Sequence, residues 1–416
     1  MTRSGVAAAA ALIGPLAVST VLVAIAAAVS PQQPSPPAVA PPPVSQSVTC
    51  GYAAQDGTLF AHPEQISART LAGDQIASPR ATQVVDGPIT VTGDGQRAVQ
   101  AGVRSQTSVG LVWSECAMPA TAGGLLVPDP SQAELVLVNS DRVDATVNVT
   151  LHDGQGQRSS PGLFGIVVPK QSSVRVPLSV HAPAGSPVSV SYQATTGRVQ
   201  LQARAVAGGA EQLLAMAPQR TMVFPAIPTA AEDVRLLLQN PTEHRVDFTV
   251  EALGARGRFT PSTGATSIEP GTTLALDLTQ PLRGQAVALL VTGSAELLGT
   301  VAARADGDQA WIGPQASVTE YDDLAPAGTL YVSNPAAAPV AVTITDQAGA
   351  YPPVTIPAGG LHIQEVATGQ VRVRAATPVS AGVSLRGRGL AVQRLRVPTV
   401  PTTPRPGQLD PQLGQR

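Results

Sequence analysis

The chain has 416 residues, of which 39 are glycine and 39 proline, and charged residues make up only 13% of it. Lys and Arg number 26 against 28 Asp and Glu, so the net charge of −2 argues against a nucleic-acid partner, because phosphate recognition needs a clustered basic excess. So many glycines and prolines exclude a protein of long helices, because both residues interrupt helices. A hydrophobic content of 43% excludes a wholly disordered chain.

Residues 1–29 form an apolar segment in which Arg3 is the only charged side chain. The uncharged run from Gly5 to Val29 is long enough for a membrane-spanning helix and longer than the usual core of a signal peptide. Its length favours an uncleaved signal anchor, whereas Gly14-Pro15 and the small residues near Ala28 fit a cleaved signal peptide. Both alternatives predict an exported chain, either anchored through this helix with its domains outside the cytoplasm or secreted.

A proline-rich linker follows at residues 30–47, where we expect an extended polyproline II spacer. Such a spacer would hold a folded domain away from the membrane. The C-terminal tail, residues 398–416, is again rich in Pro, Gln and Gly and is predicted to be disordered.

The chain contains two cysteines, Cys50 and Cys116. In an exported protein an even number of cysteines predicts a disulfide, here one that closes a long loop. A catalytic or metal-binding thiol would need partners at close spacing, and the sequence offers none.

An internal repeat is the most informative feature of the sequence. Each repeat has a strand that ends in an asparagine, and then a second strand with alternating apolar residues. The asparagines are Asn139, Asn240 and Asn334, and the apolar pairs are Val147 and Val149, Phe248 and Val250, and Val342 and Ile344. We interpret the asparagine as a turn former that binds its own backbone; a ligand role is the alternative.

A later strand in each repeat alternates after a proline, at Val174 and Val176, Leu274 and Leu276, and Leu361 and Ile363. An arginine closes each unit, at Arg104, Arg204, Arg304 and Arg386, and we expect it to contact a neighbouring unit. The pattern predicts an all-β protein of tandem immunoglobulin-like β-sandwiches after the N-terminal apolar helix and the linker. The predicted units are 48–122, which is degenerate, 123–220, 221–315, and a shortened 316–397.

No motif in the sequence points to an enzyme. The five histidines lack the spacing of a metal site, and there is no nucleophile elbow or phosphate-binding loop. The sequence therefore predicts no catalytic, cofactor-binding or metal-binding residues and no cofactor. Asp306-Gly307-Asp308 and Asp322-Asp323 are interpreted as solvated loops, with a calcium site between domains as the alternative.

The two tryptophans, Trp113 and Trp311, each follow a closing strand of a unit. One interpretation is packing at the joints between domains, and the other is a platform on which a sugar ring stacks. The sequence leaves both open.

Four segments of the sequence carry a resemblance to a known family: Trp113-x-x-Cys116-x-x-Pro119, Leu135-Val-Leu-Val-Asn139, Val147-x-Val149 and Asp153-Gly154. In these segments the chain resembles the secreted actinobacterial proteins of the domain-of-unknown-function 5719 family. The chain departs from the family pattern at Gly124–Val127, where the family has an aromatic-rich strand. The resemblance implies an exported, β-rich protein encoded near envelope glycosyltransferases, and it assigns no activity and no catalytic residues.

Together these features predict a non-enzymatic, exported cell-envelope protein with a scaffolding or interaction role in the wall biology of an actinobacterium. Its expected partners are envelope proteins or cell-wall glycans, and the membrane through the N-terminal helix, but not nucleic acid. Two alternatives stay open: a glycan-binding array of β-sandwiches, and an envelope hydrolase with a cryptic site between domains.

Overall fold

The computed structural model describes residues 47–51, 57–62, 66–76, 82–85, 87–93, 99–108, 110–206, 212–229, 231–282, 285–305 and 307–397. The predicted helix of residues 1–29, the linker up to residue 46 and the predicted tail lie outside these ranges. No helix within them is both long and apolar enough to cross a membrane.

The described chain is nearly all β, and its strands form four β-sandwiches that belong to one compact unit, Pro43–Thr402. We call them sandwich 1 (47–115), sandwich 2 (122–214), sandwich 3 (219–312) and sandwich 4 (318–394).

The strands of sandwich 1 are β1 (Ser47–Cys50), β2 (Gly57–His62), β3 (Ile66–Thr70), β4 (Gln75–Ile76), β5 (Thr82–Val85), β6 (Ile89–Gly93), β7 (Gln100–Gln106) and β8 (Leu111–Glu115). Those of sandwich 2 are β9 (Ala122–Val127), β10 (Ala133–Asn139), β11 (Ala145–Asp153), β12 (Gly156–Arg158), β13 (Ile166–Val168), β14 (Ser172–Pro177), β15 (Val188–Thr196), β16 (Gln200–Ala205) and β17 (Gln212–Leu214). Sandwich 2 also has three short 3-10 helices, Pro130–Gln132, Pro161–Leu163 and Leu178–Val180.

The strands of sandwich 3 are β18 (Gln219–Ile227), β19 (Asp233–Gln239), β20 (Val246–Gly254), β21 (Gly257–Phe259), β22 (Ser267–Ile268), β23 (Thr273–Asp277), β24 (Val287–Ala305) and β25 (Asp308–Ile312), with the single helical turn α1 (Thr279–Leu282). Those of sandwich 4 are β26 (Val318–Ala325), β27 (Gly328–Ser333), β28 (Val340–Asp346), β29 (Gly349–Ala350), β30 (Val354–Ile356), β31 (Leu361–Val366), β32 (Gly369–Leu385) and β33 (Val392–Arg394).

All four sandwiches share one strand order, and every pairing is antiparallel. The first sheets are β4-β3-β6-β1, β12-β11-β15-β9, β21-β20-β24-β18 and β29-β28-β32-β26. The second sheets are β5-β2-β7-β8, β14-β10-β16-β17, β23-β19-β24-β25 and β31-β27-β32-β33. In sandwiches 3 and 4 one long strand, β24 or β32, runs through both sheets, whereas sandwiches 1 and 2 use two shorter strands for the same path.

The apolar alternation of the strands fills the space between the two sheets. In β11 every second residue is buried, from Ala145 through Val147 and Val149 to Leu151, which is the pattern of a strand with one face in a core. The opposite sheet supplies Leu135 and Leu137 from β10 and Leu201 from β16 to the same core.

The structure confirms the all-β prediction but not its immunoglobulin-like part. In an immunoglobulin domain the first, second, fourth and fifth strands share a sheet. In sandwich 2 the first sheet instead takes β9, β11 and β15, and the second takes β10, β14, β16 and β17. Alternation along a strand shows which side chains point inward, but it does not show which strands pair.

The four sandwiches close into a ring. Each packs the region of its first strand onto the second sheet of the next sandwich: β9 lies on β19 and β24, β18 on β27 and β32, and β26 on β2 and β7. At the remaining junction Gly51, directly after β1, lies against Gln200 and Gln202 of β16. The last strands meet at the centre, where β8 contacts β17 and β33, and β25 contacts β17 and β33.

Candidate functional site

Arg394 of β33 lies at the centre of the ring and contacts the other three sandwiches. Its guanidinium donates to the Pro314 carbonyl at 2.6 Å, forms an ion pair with Glu115 of sandwich 1, and lies 2.8 Å from the Met216 sulfur beyond β17. One side chain of sandwich 4 therefore contacts the ends of the three other sandwiches. Because such charge-assisted contacts are stronger than neutral ones, Arg394 fixes how the last strands converge.

Asp308 is a second buried link between sandwiches. Its Oδ2 accepts hydrogen bonds from the amides of Leu111 at 3.0 Å and Leu390 at 2.8 Å, and its Oδ1 accepts one from Gln309 at 2.9 Å. It therefore joins sandwich 3 to sandwiches 1 and 4. Burial raises the pKa of Asp308 above its ordinary value, although the three amide hydrogen bonds act in the opposite direction.

A buried ion pair lies near the junction of sandwiches 4 and 1. The Asp323 carboxylate is fully buried and accepts two hydrogen bonds from the Arg396 guanidinium, at 2.9 and 2.8 Å. Arg396 also donates to the Ala101 carbonyl of β7, in sandwich 1.

The interpretation of Asp306–Asp308 and Asp322–Asp323 as solvated loops is wrong for two of these residues. Asp308 is 2% exposed and Asp323 is 0% exposed. Asp306 lies outside the described residues, and among the described ones no group of three or more His, Cys, Asp or Glu side chains could hold a metal ion. The sequence carries one hint: Gly110 and Gly389 have no side chain, and a Cβ at either position would clash with the Asp308 carboxylate.

The two cysteines, Cys50 and Cys116, form a disulfide inside sandwich 1. Beside it, the amides and carbonyls of Thr49 and Ala117 exchange two hydrogen bonds, of 2.8 and 3.0 Å. The bridge therefore ties the first strand of the ring to the end of its first sandwich.

The structure brings Trp113 and Trp311 to the wall of one small cavity of about 20 Å³ at the ring centre, large enough for one water. Both indoles are only 4% exposed, so neither offers a free face on which a sugar could stack. Trp113 packs on Phe60, with ring centroids 6.0 Å apart, and joins the buried cluster of sandwich 4. Trp311 joins the buried cluster of sandwich 2, so both tryptophans lie at joints between sandwiches.

A cleft with a volume of about 240 Å³ lies between sandwiches 2 and 3. Its floor is the outer face of the second sheet of sandwich 3. Two rows of side chains cross this floor in register, Asp233–Arg304–Gln309 and Arg235–Ala302–Trp311. Its roof is built by loops of sandwich 2 through Pro128, Asp129, Gln132 and Gly185.

The cleft contains two carboxylates and two guanidiniums. Arg235 forms an ion pair with Asp233 at 3.2 Å. Burial acts to raise the pKa of Asp129, but hydrogen bonds from the Ser131 hydroxyl and the Gly185 and Ser131 amides, together with the charge of Arg304, lower it overall. Asp129 is therefore ionised at neutral pH and is poorly suited to act as a general acid.

One serine–histidine pair bears on the hydrolase alternative. The Ser160 hydroxyl lies 2.6 Å from Nδ1 of His181 in a partly buried position of sandwich 2. Among the described residues no carboxylate is hydrogen-bonded to His181, so the pair lacks the third group that orients a catalytic base.

Two solved structures show a distant similarity to this chain. An α-L-rhamnosidase of Streptomyces avermitilis, complexed with L-rhamnose, is 9% identical with a TM-score of 0.16, over 82% of this chain and 55% of that one. A tetra-tandem repeat from the extending region of a large adhesion protein is 16% identical with a TM-score of 0.09, over 84% and 94% of the two chains. TM-scores this low support no conclusion about fold or function.

This chain spans about half of the rhamnosidase. No curated protein matches it significantly. A family model does match, over residues 71–388, which run from within sandwich 1 to a point in sandwich 4 before its last strand, β33. The chain therefore belongs to DUF5719, a family of unknown function.

Proposed function

We propose that this protein is a non-enzymatic component of the cell envelope that acts as a scaffold or interaction partner outside the cytoplasm. The observation that supports the proposal is that the buried charged groups described above make contacts between sandwiches. Arg394, Asp308, and the pair of Asp323 and Arg396 all serve contacts between sandwiches. A closed body of this kind presents its outer loops in fixed relative positions, which a scaffold requires.

Export and membrane attachment belong to the same proposal. A buried disulfide is typical of proteins that fold in an oxidising compartment, which supports export. The apolar segment of residues 1–29 would anchor the ring and the linker would hold it at a distance. Its partners would be envelope proteins or wall glycans rather than nucleic acid.

The test is crosslinking in living cells that produce the full chain, followed by identification of the attached partner. We expect crosslinks to envelope proteins or wall glycan, and a chain that stays with membranes after an alkaline wash. A chain in the cytoplasmic fraction with both cysteines reduced would contradict the proposal. A mature N-terminus near Val29 or Ser30 would instead identify a cleaved signal peptide and a secreted form.

Glycan binding is the second candidate, and the cleft between sandwiches 2 and 3 is the observation that favours it. In the described part of the chain, the Ser160–His181 pair is the observation that bears on the hydrolase alternative. Ester hydrolysis by the purified chain that is lost on Ser160→Ala would be needed to establish it.

A further inference from the structure

We infer that the cleft between sandwiches 2 and 3 is a binding site for one neutral sugar residue of a glycan. This inference deepens the proposed function by naming a ligand class and the residues that recognise it. It differs from the stacking platform considered above, because recognition would come from polar side chains rather than from an exposed tryptophan face.

The four repeated arginines provide an internal comparison. Arg104 donates to the Arg386 carbonyl at 3.1 Å, Arg204 pairs with Glu134 at 3.1 Å, and Arg386 pairs with Glu365. The side chain of Arg304 makes no hydrogen bond or ion pair with any described residue, although its charge acts on Asp129. Its guanidinium is exposed in the cleft with its donors available to a ligand.

The equivalent surface of sandwich 1 is filled by the protein itself. In sandwich 1, Trp113 pairs with Arg104 across the two last strands. At the same position of sandwich 3, Gln309 pairs with Arg304. The Trp113 ring covers Gly102, and Gly387 of sandwich 4 packs against Leu111 and the Arg104 guanidinium. The same sheet face is thus closed at one junction of the ring and open at another.

The cleft also contains carboxylate oxygens that can accept hydrogen bonds from a ligand. The described hydrogen bonds to Asp129 all reach its Oδ1, and Asp233 uses its Oδ1 for Arg235. The Oδ2 atom of each carboxylate therefore has no partner among the described residues. Gln132 and Gln309 add amide groups that can both donate and accept.

The charges and hydrogen-bonding groups of the cleft indicate which class of ligand it can bind. The charges of two carboxylates and two guanidiniums cancel, so the cleft attracts neither an anion nor a cation strongly. A sugar hydroxyl donates one hydrogen bond and accepts others, so neighbouring hydroxyls match alternating carboxylate, guanidinium and amide groups. The volume of about 240 Å³ lies below that of drug-sized pockets, about 300–1,000 Å³, and suits a single ring.

Isothermal titration of the purified full chain tests the inference. The neutral probes are oligosaccharides of glucose, galactose, mannose and N-acetylglucosamine, and the anionic probes are glucuronate and inorganic phosphate. We expect saturable binding of at least one neutral probe. Loss of a charge-assisted hydrogen bond in Arg304→Gln should weaken that binding about tenfold or more.

Two further variants control the experiment. Gln132→Ala removes a second, exposed cleft side chain and should also weaken binding. Arg386→Gln changes the equivalent arginine of sandwich 4, outside the cleft, and should bind like wild type with an unchanged melting temperature. The inference is overturned if no neutral probe binds, if an anionic probe binds more tightly than every neutral one, or if Arg304→Gln and Gln132→Ala both bind like wild type. Such results would leave the envelope proposal standing, because crosslinking and fractionation test it separately.

Discussion

At the scale of single residues, the repeated asparagine joins three segments of its sandwich. Nδ2 of Asn240 donates to the His244 carbonyl at 2.7 Å and to the Ile268 carbonyl at 3.1 Å, and its Oδ1 accepts from the Thr242 amide at 2.9 Å. The same arrangement recurs at Asn139 and Asn334. The turn-former interpretation is confirmed, and the side chain also donates to the last carbonyl of a later short strand, β13, β22 or β30.

Replacement of this asparagine should be costly. In Asn240→Ala the carbonyls of His244 and Ile268 and the amide of Thr242 each lose a hydrogen bond to a buried side chain, so we expect the free energy of unfolding to fall by about 2–4 kcal/mol. Urea unfolding measures the change. The control is Asn148→Ala, which removes only the exposed hydrogen bond from the Gly165 amide and should cost less than about 1 kcal/mol. Equal losses in the two variants would contradict the role assigned to Asn240.

Asp308 predicts a pH dependence of stability with a definite sign. Because burial raises its pKa in the folded state, the folded chain binds a proton more readily than the unfolded one. The contribution of this group is therefore most favourable below the ordinary pKa of an aspartate, about 4, and is lost as pH rises through the raised value. Relative to Asp308→Asn, the wild type should gain stability as pH is lowered from neutral to about 4.

Melting temperatures of both proteins across this pH range provide the measurement. Asp277→Asn is the control with the opposite sign, since hydrogen bonds from the Thr279 side chain and amide lower the pKa of Asp277. Relative to that variant the wild type should lose stability as pH falls. A stability difference between wild type and Asp308→Asn that does not change with pH would refute the assignment.

At the scale of elements, β26 presents two aspartates to opposite environments. Asp323 faces inward and pairs with Arg396, whereas Asp322 faces outward and pairs with Arg372, whose side chain is 36% exposed. Because breaking a buried ion pair leaves a charge unpaired, Asp323→Ala should cost about 3–5 kcal/mol. Asp322→Ala should cost about 1 kcal/mol or less, and denaturant unfolding of the two variants compares them directly. Similar costs would show that the burial of Asp323 has no energetic weight.

The sequence predicted the inward faces of central strands better than those of edge strands. Val147, Val149, Phe248, Val250, Val342 and Ile344 are all buried, as their alternation indicated. Ile363 was expected to alternate inward with Leu361, but it is 41% exposed. Its strand, β31, is at the edge of its sheet, where one neighbour is missing and burial is less strictly tied to alternation.

The pairing of the strands and the position of the candidate site could not be predicted from local sequence patterns. The long strand β24 and the order of the sheets are set by contacts between distant segments. The rows that form the cleft floor exist only once β19, β24 and β25 are aligned. The sequence shows that Arg304 is one of four repeated arginines. Only the structure shows that the other three side chains have hydrogen-bond or ion-pair partners, whereas the Arg304 side chain has none among the described residues.

At the scale of the whole molecule, the four sandwiches of the described chain form a closed ring. Sandwiches 1 and 4 meet although they are at opposite ends of the described chain. Gln106 donates to the Arg388 carbonyl at 2.8 Å across 282 residues, and Gln100 donates to the Val397 carbonyl at 2.9 Å. Each of these contacts closes a long loop, so their formation depends on the other three junctions being in place.

The most direct test is a distance measurement between nitroxide labels at Gln106→Cys and Arg388→Cys by pulsed electron resonance. Both natural cysteines are in the disulfide, so the labels attach only to the new thiols. In a closed ring the two labels should give one narrow, short distance, in a chain that melts like wild type. A broad distribution, or a long distance such as a linear string of sandwiches would give, would contradict the closed ring.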